Sequence, residues 1–485
     1  MPKNTESRFR NPIHWWNVKR NQEKCIDCGT CISICKTGVH IRLEGYNRME
    51  KPKSHLCSGL SCSEMKDSCV FNCQFKAISV GKNEMLEALG DPRWTPDLIL
   101  STWESASTGK APPDKPRFQK GASGGGFDKM EFAFTKKVDE IENYDVDLSI
   151  SLNRRDFGPK INIPFPIYGG GMSYGSISKT VMLARAIASK KLGTFMSTGE
   201  GGYPDELIAY KDHVITQIAT GLFGVREETI QRSPIIEFKY AQGAKPGLGG
   251  HLLADKNTPD VAKMREAVPL TSLFSPFPFH SVYSIEDHKK HLDWIKQINP
   301  NAIISVKVST PNDVDMVAVG SFYAGASIIH LDGGYGGTGA APEIAKKNIA
   351  MPIEYAISKT HKFLVQEGVR DEMVLIVSGG LRTPDDVMKS IALGADGVVI
   401  GTAELVALEC VRCGNCERDR GCPIGIATSD PVLRELVNTE WASQRIINLY
   451  TAWIERMKTI LRRFGFRSLN DLRGNTDCLI HTDYI

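Results

Sequence analysis

Twelve of the thirteen cysteines fall into three tight runs, and that spacing limits what the first ninety residues and the end of the last apolar strand can fold around. "CIDCGTCISICKTG" places Cys25, Cys28, Cys31 and Cys35 as C-x2-C-x2-C-x3-C, a pattern that wraps three thiolates round one face of a 4Fe-4S cube. Cys57, Cys62, Cys69 and Cys73 form a stretched second run, with four, six and three residues between them. "CVRCGNCERDRGCPIGIATSD" supplies Cys410, Cys413, Cys416 and Cys422, and only Cys478 stands alone. Disulfides would suit an oxidising compartment. No early segment joins a basic start to an apolar core and a small-residue cleavage site, so a reducing cytoplasm and metal-bound thiolates are expected. The 485 residues are 41% hydrophobic and 24% charged, a soluble composition large enough for two or three domains. The apolar stretch from Ile391 to Val411 is interrupted by Asp396 and Glu404, so no membrane span is expected. Basic residues are dispersed without interleaved aromatics, which argues against a nucleic-acid partner.

Residues 1–90 resemble a 2×4Fe-4S ferredoxin domain, although "QFKAI" follows Cys73 where bacterial ferredoxins have proline. In such domains the fourth cysteine of each run serves the other cluster. Cys25, Cys28, Cys31 and Cys73 are therefore assigned to one cube, and Cys57, Cys62, Cys69 and Cys35 to the other. Structural zinc is the alternative, but zinc favours two separated pairs. The resemblance implies a unit that passes single electrons.

Residues 91–130 loosen into "STGKAPPDKPRFQKGASGGGFDKM", whose Pro, Gly, Ser and Lys content predicts an extended surface linker. From 131 to 435, short apolar runs alternate with longer mixed segments. "FPIYGG", "GTFMST", "PIIEFKY", "AIISVKV", "SIIHLDGG", "MVLIVSGG" and "GVVIGTA" read as buried parallel strands. "SISKTVMLARAIASKK" and "TPDDVMKSIALG" carry helical periodicity. About eight such units predict an α/β fold, a (β/α)8 TIM barrel, with an open doubly wound sheet as the alternative. Residues 436–485 read as a C-terminal helical extension.

A barrel places its chemistry at the C-terminal strand ends and phosphate at the last two loops, here Gly379, Gly380, Gly401 and Thr402. Earlier strand ends, "YGGGMSYGSIS" with Gly171, Met172 and Ser173 and "HLDGGYGGTGAAP" with Gly336 and Gly337, are flat and glycine-rich. Close-approaching backbone beside a phosphate site suits FMN, with Lys307 offsetting charge on the reduced ring. The plainer role for Lys307 is a salt-bridged strand lysine.

"GGMSYGSIS", "STGEGG", "EFKYAQGAKPGLGG", "YSIED", "GGTGAAP", "SGGL", "GTA" and "CPIGIATSDP" resemble, in order, the FMN-binding synthase domain of glutamate synthase, large subunit, archaeal type. The resemblance implies a catalytic subunit that condenses ammonia with 2-oxoglutarate and reduces the imine with FMN, using electrons from iron–sulfur clusters. It implies that Lys239 and Arg265 hold the oxoacid, that Glu200 lies near the ammonia exit, and that Gln242 is a motif residue. Two carboxylates call for fixed cations, which adds Lys245 to the candidates. The family's 3Fe-4S cysteines match Cys410, Cys416 and Cys422, whereas Cys413 suggests a 4Fe-4S cube or else a free thiol. Leu248 and His251 replace a family glutamate and glutamine, which opens a methylamine-using N-methylglutamate synthase as an alternative. An electron-transfer subunit of a larger complex is another.

The chain starts "MPKN" and ends "IHTDYI", so a separate glutaminase subunit and a separate glycine-rich β-helix subunit are expected. No G-x-G-x-x-G is seen to open a β-α-β unit, so the donor is expected to be ferredoxin or a reductase subunit.

Overall fold

The computed structural model describes residues 1–9, 12–111, 126–276, 282–338, 341–342, 344–346, 348–418 and 420–484. Eight parallel strands close a barrel: β1 Ile167–Gly169, β2 Met196–Ser197, β3 Val214–Ala219, β4 Ile235–Lys239, β5 Ile303–Ser309, β6 Ile328–Asp332, β7 Val374–Ser378 and β8 Gly397–Ile400. β8 pairs back onto β1 through Val398 opposite Ile167, which excludes the open sheet. β3 to β8 are buried along their whole length, so helices cover the outer face while side chains fill the interior. Seven strands match the apolar runs read from sequence. β3 was not among them, because Thr216 and Gln217 interrupt its apolar run.

Local signals explain the helices. Ser178, Thr383 and Asn438 cap helices Lys179–Leu192, Pro384–Ala392 and Thr439–Phe464 by accepting backbone N–H groups three residues on. Glycines in the left-handed region, Gly193 and Gly465, end the first and last of these. The 26-residue helix Thr439–Phe464 lies on helix Lys179–Leu192 with a long buried face. The segment read as an extension is therefore packed against the barrel.

Two further expectations are altered. Pro96–Thr108, placed in the linker, is a helix with Pro96 in its first turn, Gly109 as left-handed C-cap, and Leu98, Ile99, Trp103 and Ala106 buried. It has an apolar face to bury, and Asn448 and Arg445 of the Thr439–Phe464 helix hold its last turn through Ala106 O at 2.9 Å and Ser107 Oγ at 2.8 Å. The most linker-like stretch, 112–125, lies outside the described residues. Strand Leu479–His481 pairs with Met130–Phe132, so the last residues return to the start of the barrel region.

The cysteine-rich unit is built on an antiparallel pair, Trp16–Arg20 with Ile78–Lys82. Val18, Val39 and Ile78 form its small core, and Cys31, Cys35, Cys57, Cys69 and Cys73 pack on it. So little apolar area cannot hold such a unit alone; small domains need a metal or a disulfide framework to add stability.

Candidate active site at the C-terminal mouth of the barrel

The strand ends converge on one polar cluster. Lys239, last residue of β4, donates to Glu200 Oε2 at 3.1 Å, both side chains being largely buried. Burial would raise the Glu200 carboxyl, but Lys239, Arg265 and Lys245 outweigh it and hold it below its ordinary value. Glu200 is thus an ionised carboxylate under three cations. Gly250 explains how it fits, since a Cβ there would overlap the Glu200 carboxylate.

Arg265 ends helix Pro259–Arg265 and is 4% exposed, which excludes a solvated helix charge. One guanidinium nitrogen donates to Ser173 Oγ and to Tyr174 O, each at 3.0 Å, so Arg265 pins the loop after β1. Its Nε is buried with no hydrogen-bond partner among the described residues. Gln242 is half-buried and Lys245 is buried on the loop after β4, where Gly243 N–H reaches Asp332 Oδ2 at 3.0 Å.

Lys307 does form the salt bridge of its plainer role, 3.3 Å from Asp332 Oδ2. That pair belongs to a network which sequence reading missed. Gln217 Nε2 donates to Glu237 Oε1 at 2.6 Å, His330 Nδ1 lies 2.8 Å from Glu237 Oε2, and Ser378 Oγ links His330 to Asp332 at 2.8 and 2.6 Å. Burial opposes ionisation of Glu237, yet His330, Lys307 and Gln217 bring its carboxyl down to about 2. The available signal was a polar residue inside a continuous apolar run, Glu237 in "PIIEFKY" and His330 in "SIIHLDGG".

The glycine loops divide into two kinds. Gly379 packs against the Gly333 backbone, and a Cβ on it would stand 2.5 Å from Gly333 O. Gly379 and Gly380 both have φ of +100°, which side chains rarely tolerate. A Cβ on Gly401 would meet nothing within 4 Å, and one on Gly336 would make ordinary contact with Asp332 Oδ1 and Gly333 O at 3.5 Å and Ala244 N at 3.8 Å. Those two open positions, Gly337 lying against Thr402, and Gly171 lying against Gln217 leave exposed backbone that fits a flat ligand ending in a phosphate. Met172 packs against the core beside them. The stretch 334–339 formally reads G-x-G-x-x-G, but the next helix among the described residues begins only at Ile353, so it opens no dinucleotide-binding unit.

Thiols within each run lie close enough to act on one another. Burial pushes the Cys69 thiol up to about 11, with Cys35, Cys57, Cys62 and Cys31 adding repulsion, while Cys31 also feels Cys25 and Cys28. Cys35 and Cys31 of the first run therefore both lie near the second run. Ala77 N–H donates to Cys73 Sγ at 3.3 Å and Gly59 N–H to Cys57 Sγ at 3.4 Å. Burial, with Cys416 and Cys422 close by, raises the Cys410 thiol to about 12, and a bound metal cation would favour its thiolate. Cys413 is exposed. Among the described residues no three His, Cys, Asp or Glu side chains are set to hold a single metal ion, and a cube separates its thiolates more widely than one ion does.

The family described as the conserved region in glutamate synthase matches residues 127–467, and the 4Fe-4S binding domain matches residues 18–39. The chain belongs to the glutamate synthase family. Its relatives include the archaeal-type glutamate synthase [NADPH] of Thermotoga maritima, 35% identical over 95% of this chain and 94% of that one. The archaeal glutamate synthase [NADPH] of Methanocaldococcus jannaschii is 42% identical over 66% of this chain and 63% of its own. The glutamate synthase [NADPH] large chain of Azospirillum brasilense is 37% identical over 64% of this chain and 21% of its own. The match supports the catalytic function of a glutamate synthase, an oxidoreductase. No helix among the described residues is long and apolar enough to cross a membrane.

Proposed function

We propose that this glutamate synthase reductively aminates 2-oxoglutarate with ammonia at the barrel mouth, with FMN against the open glycine loops and electrons entering through two 4Fe-4S clusters and a third cluster on Cys410, Cys413, Cys416 and Cys422. The observation that carries the site is the Lys239–Glu200 pair at 3.1 Å, flanked by Arg265 and Lys245 beside those loops. FMN fits: backbone at Gly401 and Gly336 is open, and Gly379 and Gly380 set the adjoining turn. Bound there, FMN supplies hydride to a carbon centre and takes electrons singly from iron–sulfur carriers.

The chain's own groups do the rest. Lys239, Lys245 and the free edge of Arg265 offer fixed positive charge to the two carboxylates of the oxoacid. Glu200, ionised at neutral pH, takes a proton from ammonium so that the nitrogen lone pair can add to the carbonyl, and returns it to the oxygen that leaves as water. Lys307, tied to Asp332, places a cation among the strand ends where negative charge develops on reduction.

Nitrogen as free ammonia follows from the cysteines. On this reading the three runs bind twelve cysteines as cluster ligands and Cys478 is buried, which supports a nitrogen source other than glutamine attacked by this chain. We propose a separate glutaminase subunit, with the glycine-rich β-helix as a further subunit, in a cytoplasmic assembly. The relatives' names carry NADPH; with no dinucleotide motif opening a helix among the described residues, its oxidation is assigned to a reductase subunit, ferredoxin being the other external donor. Methylamine remains the second reading, because Leu248 and His251 lie beside Gly250, which packs on Glu200. Anaerobic turnover with a chemical reductant should give glutamate from ammonium and none from glutamine. Turnover restricted to methylamine would replace the assignment by N-methylglutamate formation.

A further inference from the structure

Arg93 lies between the cysteine-rich unit and helix Pro96–Thr108, and it is 7% exposed. Nη2 donates to Gly380 O at 2.9 Å, and the guanidinium stacks over Tyr335, 4.2 Å from the ring centre. Nη1 is buried with no hydrogen-bond partner among the described residues. Nor does any carboxylate among the described residues stand within ion-pair distance of it. Asp91, two residues away, is engaged by Arg412 at 2.8 Å. Glu354 accepts from Gly126 N–H at 2.5 Å, and burial raises its carboxyl toward the neutral form. Asp386 and Glu354 act on Arg93 electrostatically, but Asp386 accepts from Arg382 N–H at 2.9 Å and neither pairs with Arg93 directly, so the cost of this buried cation falls when an anion completes the site.

The position of Arg93 identifies that anion. Gly380 belongs to the loop after β7, which adjoins phosphate in barrels of this kind, and Tyr335 precedes Gly336 on the loop after β6. A Cβ on Gly380 would stand 2.6 Å from Arg93 Nη2, so the glycine that shapes the phosphate turn also admits the guanidinium. The segment before Arg93 meanwhile touches the third cysteine run, with Gly90 N–H on Val411 O at 3.2 Å and Asp91 on Arg412.

Building on the FMN reading, we infer that Arg93 is a ligand of the flavin phosphate, so that the segment joining the electron-entry unit to the barrel completes the flavin site. Guanidinium presents two parallel N–H donors that match phosphate geometry; Nη2 is committed to Gly380 and Nη1 is the donor left. The flavin and the loop of Cys410–Cys422 are then held by the same short stretch of chain.

The test compares FMN with riboflavin, which lacks the phosphate. Full-length protein with clusters intact, freed of flavin anaerobically, is titrated with each while flavin fluorescence is followed, in wild type, Arg93→Met and Arg93→Lys. Arg93→Met keeps length and packing over Tyr335 but removes the donors. It should weaken FMN by roughly tenfold to a hundredfold while leaving riboflavin affinity and iron content unchanged, with Arg93→Lys recovering part of the loss. Unchanged FMN affinity in Arg93→Met, or an equal loss for both flavins, would overturn the assignment of Arg93 and leave the FMN reading in place. A wild type that binds neither flavin would instead overturn the FMN reading itself, and this inference with it.

Discussion

Glu200 owes its ionisation to its neighbours, and the sign of that dependence can be tested. Its folded value lies below the ordinary one, so the contribution of the pair is complete above the ordinary carboxyl range and is lost only as pH falls through the lowered value. Wild-type activity should therefore show no loss from Glu200 between pH 8 and about pH 5. Lys239→Met removes the chief opposing charge and leaves burial, so Glu200 should titrate upward and an acid limb should enter the pH profile of kcat/KM. The apparent KM for 2-oxoglutarate should rise about tenfold or more in the same variant. Identical pH profiles and KM values in the two proteins would remove both residues from the site. Gly250→Ala is the complementary change, because its Cβ displaces Glu200; activity should fall while flavin stays bound, as measured by flavin content after desalting. These residues were legible because motif and charge both pointed to them. Glu237, His330 and Asp332 were not, because their meeting depends on side chains of β4, β6 and β7 reaching one another across the buried interior, which a run-by-run reading of the sequence does not show.

Elements were legible wherever apolar runs were continuous and bounded by glycine, as in β6 to β8. β3 escaped because Gln217 points its polarity at Glu237, a satisfied interior contact that reads in sequence as an interruption. Helix Pro96–Thr108 escaped because the Pro- and Gly-rich stretch after it dominated the composition of the window. The two views of that segment differ measurably. Ile99 is fully buried, so Ile99→Ala should cost roughly 2–5 kcal/mol in denaturant unfolding, whereas a residue of an extended linker would cost less than about 0.5 kcal/mol.

Across the whole molecule, residues 90–95 join the cysteine-rich unit to the barrel, touching both the third run and the loop after β7. Four-thiolate ligation at all three sites predicts about 12 iron per chain in anaerobically purified protein; about 11, with a 3Fe-4S signal on oxidation, would show that Cys413 is not a ligand. Chelation of the iron should unfold the cysteine-rich unit first, since its core is only Val18, Val39 and Ile78. The whole arrangement serves one reaction, so reduced protein should hold the electrons for it. Anaerobic protein reduced to completion and freed of reductant should be mixed with 2-oxoglutarate and ammonium while flavin absorbance and glutamate are followed together. Flavin reoxidation with one glutamate formed per two electrons is the expected result. A flavin that stays reduced in the presence of both substrates, with no glutamate formed, would contradict the account.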